Sequence, residues 1–452
     1  MAQLQSTFRL DDVPRQRDVL ILSIPALVEM ALHLAAWAVD TAMVGRLGAE
    51  ALSAVGFGGD IYFTACFVVG ALGVGAGAVV ARATGARDDR VAARAGAQSL
   101  ILALGLGAVL AALIWQMAPH IFRWVDLGEK TAGLGVAYMR TVAPAGAMFI
   151  PLLIGSAVLR ARGDTRTPMW ITLITNIINI VGDWVLIFGN LGFEPQGVVG
   201  AARALVMAQG VGCALTIFAV SRISRLSWER SDWTRLHPAT MGRLIRVSLP
   251  VALESLAVDG ARLANIVIIA SLGPVAVAAT QVAITAEALS FMPGYGFSIA
   301  AGVLAGQGLG AGRPDVVRAT TGMCRLWALV LMGTLGAAFV LIPEPFVRLF
   351  TNDPDVIRLG AQCLRVGGLI QPFVAVGEVT LGSMRGMGDT RRAVLFTALG
   401  AWGLRVPLAY LMVSVVGLGV LGAWWAMGIE WIVRSLLVTR YFRRGSWERL
   451  QV

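Results

Sequence analysis

Long polar stretches are almost absent from this sequence. Charged residues make up 14% of its 452 residues, against roughly 25% in a soluble globular chain. Apolar runs of the roughly 20 residues needed to cross a bilayer recur from end to end. These features exclude a soluble enzyme and imply an all-α polytopic membrane protein with little soluble mass. Cysteine is scarce as well. Cys66, Cys213, Cys324 and Cys363 lie scattered in or beside apolar segments, with neither the pairing of a disulfide framework nor metal-ligand spacing. Lysine occurs only as Lys130, so the basic residues are arginines. The sequence has no phosphate-binding loop, nucleophile elbow or HExxH pattern, which removes the ATPase and protease signatures. It also lacks the acid cluster with which a membrane-embedded enzyme would hold a metal. No cofactor or resident metal is expected, and work must come from an ion gradient or the substrate's own gradient.

What the chain has in quantity is small residues and arginine. Its 53 glycines fit helices that approach closely in lipid, where no hydrophobic force drives them together. The net charge of +10 sits in short loops between apolar segments, so it serves orientation and not nucleic-acid binding. The first apolar segment has no small-residue cleavage site before it and reads as a retained helix.

The sequence repeats itself at an offset of 225 residues. Ser23, Pro25 and Glu29 return as Ser248, Pro250 and Glu254; Leu47-Gly48 returns as Leu272-Gly273. The clearest match is Arg160-x-x-Gly163-Asp164-Thr165-Arg166 with Arg385-x-x-Gly388-Asp389-Thr390-Arg391. One register held across several hydrophobic segments marks two copies of one membrane bundle. Twelve spans are expected: 18–44, 52–82, 93–117, 131–160, 168–190 and 197–222, then 243–271, 276–309, 317–342, 356–385, 392–415 and 418–442. Six spans per copy make the repeats parallel, related by a pseudo-two-fold axis along the membrane normal. The expected organisation is an N-lobe over 1–222, a cytoplasmic linker over 223–242 and a C-lobe over 243–452. About 25 of the 37 Lys and Arg fall on one side, which places both termini in the cytoplasm by the positive-inside rule.

An ionisable side chain inside a membrane helix is a functional candidate by default. The first span carries Glu29, His33 and Asp40 on one stripe; the fifth carries Asn176, Asn179 and Asp183 on one face. Two acids and two amides on separate helices suit a proton or cation site. His33 stands four residues from Glu29 and reads better as its partner than as an independent site. In the second copy Asn265 replaces Asp40 and Leu408 replaces Asp183, so ion coupling is assigned to the first lobe. The second lobe retains Glu254, Glu287 and Glu378, acids without a basic partner nearby in the chain, which either line a cavity for a cationic substrate or are structural. Arg405 stands beside the counterpart of Asn179, where it would neutralise one of them. Asp259 with Arg262 and Glu430 with Arg434 read as structural ion pairs. Asp164 and Asp389 stand where they can cap the helices that follow.

At these residues the chain resembles the MATE family, the multidrug and toxic compound extrusion transporters, over essentially its whole length. The resemblance rests on Pro25, on Val39-Asp40-Thr41-Ala42-Met43-Val44-Gly45-Arg46-Leu47-Gly48, on Asn179-x-x-x-Asp183, on Gly306-Gln307-x-Leu309-Gly310 and on both Arg-x-x-Gly-Asp-Thr-Arg loops. It implies twelve helices in two six-helix lobes around a central cavity. It also implies efflux of amphipathic or cationic small molecules in exchange for protons or Na⁺. Asp40, Asn179 and Asp183 match the first-lobe cation site of the DinF-like members, where Na⁺ is the alternative occupant. Glu254 and Glu378 lie in the helices that carry the acids of Na⁺-coupled NorM-like members, but about a turn from the matching positions, which favours first-lobe proton coupling. The expected cycle bends the first helix near Pro25 in a monomer embedded in a bacterial inner membrane. Na⁺-coupled efflux and a lipid-linked oligosaccharide flippase of the same superfamily are the alternatives.

Overall fold

The computed structural model describes residues 14–125, 128–223 and 236–450. Twelve long helices run through them. The first six are α1 (Gln16–Gly45), α2 (Ala49–Gly85, broken at Gly70–Ala71), α3 (Asp89–Trp124), α4 (Glu129–Ala161), α5 (Arg166–Phe188) and α6 (Gly197–Ile223). The second six are α7 (Pro238–Ala270), α8 (Pro274–Gly310), α9 (Pro314–Leu341), α10 (Pro354–Met387), α11 (Thr390–Val415) and α12 (Val420–Arg443). Eleven of them are long and apolar enough to cross a membrane by composition alone; α7, with Glu254, Asp259 and Arg262 along it, is the twelfth. A short helix, Pro343–Arg348, follows α9. Among the described residues there are no strands. Of the linker expected over 223–242, residues 224–235 lie outside the described residues, and α7 already begins at Pro238.

The repeated motifs have a local physical cause. Gly163 and Gly388 adopt φ of 89° and 87°, the left-handed region that a side chain disfavours. Each ends its helix the same way: the N–H of the next residue reaches back to the last turn, Asp164 to Leu159 O at 3.1 Å and Asp389 to Met384 O at 2.9 Å. The two Asp residues then diverge. Asp164 caps α5, accepting from Thr167 N at 3.0 Å and Thr167 Oγ1 at 2.6 Å. Asp389 gives its carboxylate to Tyr441, whose hydroxyl donates at 2.6 Å.

Residues Val28–Ala252 form one compact unit and the rest of the described chain forms the other. The units therefore do not part at the middle of the chain. The start of α1 belongs with the second repeat, where Val19 and Leu22 pack with Phe297, Leu304 and Met332. The start of α7 belongs with the first, where Ser248 donates to Leu72 O at 3.4 Å. Both helices change unit two residues past a proline, Pro25 in α1 and Pro250 in α7. A proline inside a helix removes one backbone hydrogen bond and weakens it at that point.

In one unit α4 is central, packed by α2, α3 and α6; in the other α10 is central, packed by α8, α9 and α12. These contacts rest on small residues: a side chain on Gly302 would stand 2.8 Å from Gly382 O, and one on Gly386 would strike the backbone of Gly302. Large apolar side chains such as Val109, Val267 and Leu436 remain exposed along the spans. Such a surface is satisfied by lipid. The regular α5 has an irregular counterpart: α11 widens into π turns at Leu399–Arg405 and Leu411–Val415.

Candidate functional site

Within the unit Val28–Ala252, Asn179 joins α5 to α1. Its Nδ2 donates to Asp40 Oδ1 at 2.8 Å and to Asp183 Oδ2 at 2.9 Å. A primary amide has two N–H donors, and both are spent on carboxylates. Asn179 and Asp183 are buried, 6% and 2% exposed, and Asp40 is half-buried. Asp183 Oδ1 and Asn179 Oδ1 are buried acceptors without a donor among the described residues. The two carboxylates thus share one amide and are electrostatic neighbours. Asn176, one turn earlier on α5, donates to Leu32 O on α1 at 2.9 Å and so fixes the two helices in register.

The helical spacing accounts for this assembly. Asn176, Asn179 and Asp183 share one face of α5, and Asp40 lies eight residues beyond Leu32 on the stripe of α1 opposite them. Tyr138 on α4, buried at 5% exposure, interacts electrostatically with both Asp40 and Asp183. Nothing in the sequence pattern around Tyr138 points to this neighbourhood.

The other acids singled out in the sequence sit elsewhere and are engaged. Glu29 is held by Arg160, whose Nη1 donates at 2.8 Å to Oε1 and 3.0 Å to Oε2, with His33 as an electrostatic neighbour. In the other unit Arg385 bridges two acids, with Nη2 2.7 Å from Glu254 Oε1 and Nη1 2.9 Å from Glu378 Oε1. Glu287 accepts from Gln371 Nε2 at 2.9 Å, and Gln371 in turn accepts from Ser290 at 3.0 Å. Arg405 acts electrostatically on Glu287 and Glu430. The local pairs expected from sequence are present, Arg262 to Asp259 at 3.6 Å and Arg434 to Glu430 at 2.9 Å. Pro25 lies inside an unbroken α1. Among the described residues no group of three or more His, Cys, Asp or Glu could hold a metal ion.

Comparison with known proteins agrees with the repeat. The MatE family model matches twice, at residues 25–185 and 250–411. A probable multidrug resistance protein NorM of Thermotoga maritima is 32% identical over 449 residues, covering 98% of this chain and 95% of its own. The multidrug resistance protein PmpM of Pseudomonas aeruginosa is 27% identical, covering 87% and 83%. Among solved structures, an outward-facing multidrug resistance MATE family transporter of the MOP superfamily superposes with a TM-score of 0.89 at 24% identity, covering 97% and 98%. A MOP superfamily transporter from Pyrococcus furiosus superposes with a TM-score of 0.90 at 23% identity, covering 97% and 98%. At that identity the two structures speak for the fold. The double match of the family model and the full-length likeness to NorM place this chain in the MatE family, whose members are membrane transporters and not enzymes.

Proposed function

We propose that this protein is a secondary antiporter that expels amphipathic, cationic organic compounds in exchange for protons by alternating access. The observation that carries the proposal is Asn179 donating to both Asp40 and Asp183 while Asp183 Oδ1 lies buried without a donor. Two ionised carboxylates that share one amide repel, and the amide offsets that only in part. A proton on either carboxyl removes one charge and supplies a donor to the other. The α1–α5 contact therefore differs between the protonated and ionised states, as a coupling ion requires. Because α1 changes unit just beyond Pro25, a shift at Asp40 acts along one helix toward the point where it is weakest. The relatives named as multidrug resistance proteins support the substrate class.

The arginine-rich loops support cytoplasmic termini in a bacterial inner membrane. Glu29, Glu254 and Glu378 then serve to hold Arg160 and Arg385, and Glu287 to anchor Gln371. Na⁺ in place of the proton is favoured by one feature, the second donorless oxygen at Asn179 Oδ1, since Na⁺ takes oxygen ligands. Uptake of a fluorescent cationic dye into inverted membrane vesicles under an imposed proton or Na⁺ gradient separates the two. Proton-driven uptake lost in Asp40→Asn supports the proposal. Uptake driven by Na⁺ alone replaces the coupling ion, and uptake under neither gradient refutes drug antiport and turns attention to a lipid-linked substrate.

A further inference from the structure

A second polar site lies in the other unit, where Arg325 links α9 to α10 and α12. Arg325 on α9 donates through Nε to Thr380 Oγ1 on α10 at 2.9 Å and stacks over the ring of Phe442 on α12 at 5.0 Å. These contacts hold the guanidinium flat and fix its direction. Its Nη2 is buried and has no acceptor among the described residues. The charged neighbour that acts on it is Arg443, a group of the same sign. Glu448, on the segment after α12, is held by Arg318 at 2.6 Å. Among the described residues, no carboxylate is paired with Arg325. An unsatisfied buried donor on a charged group carries a large desolvation cost, and an anion that accepts from both arginines would remove it.

The surroundings narrow the anion. Arg443 is the last residue of α12, exposed, and Arg440 and Arg444 flank it. Trp447 is fully buried on the segment after α12, its indole stacked on Phe442 at 5.2 Å and donating to Phe442 O at 2.8 Å. Arg440, Arg443 and Arg444 at the end of a membrane helix mark the headgroup level, which long basic side chains near helix ends reach. Basic pockets between helices on the arginine-rich face suit phosphate groups, and a guanidinium fork matches phosphate oxygens.

We propose that Arg325 and Arg443, with Thr380 and Phe442 fixing the first of them, form a binding site for a phosphate group, supplied by the headgroup of an anionic phospholipid in the cytoplasmic leaflet. The Arg325 side chain supplies the buried donor and Arg443 closes the site from the exposed side. The site is independent of the coupling cluster, so it stands or falls apart from the transport reading.

The test is binding of phosphatidylglycerol to the full-length protein purified in a neutral detergent, read by native mass spectrometry, with phosphatidylcholine and inorganic phosphate as the other probes. Phosphatidylglycerol is expected to bind in preference to phosphatidylcholine. Arg325→Gln and Arg443→Gln should each weaken it about fivefold, the scale of one arginine near a charged leaflet. Arg444→Gln, one residue further along, should leave it unchanged. Arg443→Gln alters only an exposed helix end and decides the matter even if Arg325→Gln fails to fold. Retention of lipid in excess inorganic phosphate identifies the lipid as the source. Displacement by inorganic phosphate, lost in the same two variants, keeps the site and identifies soluble phosphate instead. No preference for phosphatidylglycerol together with no phosphate binding, or equal weakening by all three variants, overturns the proposal.

Discussion

Arg160 reaches Glu29 at 2.8 Å across 131 residues of chain, joining the end of α4 to α1. The second repeat makes the same pair at the same separation, Arg385 to Glu254 at 2.7 Å. All four side chains are largely buried, so each arginine ties the central helix of its unit to the helix that passes out of that unit.

Removing one partner strands the other. Arg160→Ala should lower stability by about 3–5 kcal/mol, the usual loss when a buried pair is broken from one side. The double variant Glu29→Leu with Arg160→Met should recover much of it. Melting temperatures of the three proteins in detergent check this; a double variant no better than the single one would show that the pair itself is needed.

Close helix contact predicts a contrast between glycines. Gly386→Ala would drive a methyl into the backbone of Gly302 and should cost about 1–3 kcal/mol or prevent folding. Gly105→Ala, in α3 with open space around it, should be neutral or stabilising by up to about 1 kcal/mol through helix propensity. Yield and melting temperature of the two variants provide the comparison.

How far such contacts could be read from the chain depends on the range of the interaction. Asn179 and Asp183 lie one helical turn apart and Asp40 falls on a polar stripe, so periodicity alone marked these three residues. The Glu29–Arg160 pair was hidden because a search at three or four residues cannot see across 131. The clue was available, since the acid and the arginine each recur at the repeat offset. Glu378 and Arg385, seven residues apart, lie on one helix face and were open to the same reasoning. The π turns of α11 and the burial of Tyr138 left no pattern, because both follow from packing and not from residue type. The exchange of helix starts between units was equally silent, since periodicity marks a helix face and not its partner.

Asp389 predicts a pH effect. Burial outweighs its contacts with Tyr441 and Arg392 and holds its carboxyl above the ordinary value of 3.8. The native state therefore binds this proton more tightly than the unfolded chain, and stability contributed by this group falls as the pH rises from about 4 through the native value. Asp389→Asn should flatten that part of the profile, measured as melting temperature against pH. A profile unchanged by the substitution would place the titration elsewhere.

The amide of Asn179 predicts a separation of fold from transport. Asn179→Ala removes both bridging hydrogen bonds and should reduce dye uptake at least tenfold, while the α1–α5 link through Asn176 and Leu32 keeps the protein folded. Uptake rates and melting temperature, taken on one preparation, check both halves. Full uptake in this variant would detach Asn179 from coupling.

Substrate-induced proton release tests the central claim most directly. A cationic substrate is added to purified protein in weakly buffered solution, and the protons released are counted for wild type, Asp40→Asn and Asp183→Asn. If the cluster exchanges its proton for substrate, wild type releases protons and both variants release none. Release that persists undiminished in both variants would contradict a coupling site at Asp40, Asn179 and Asp183.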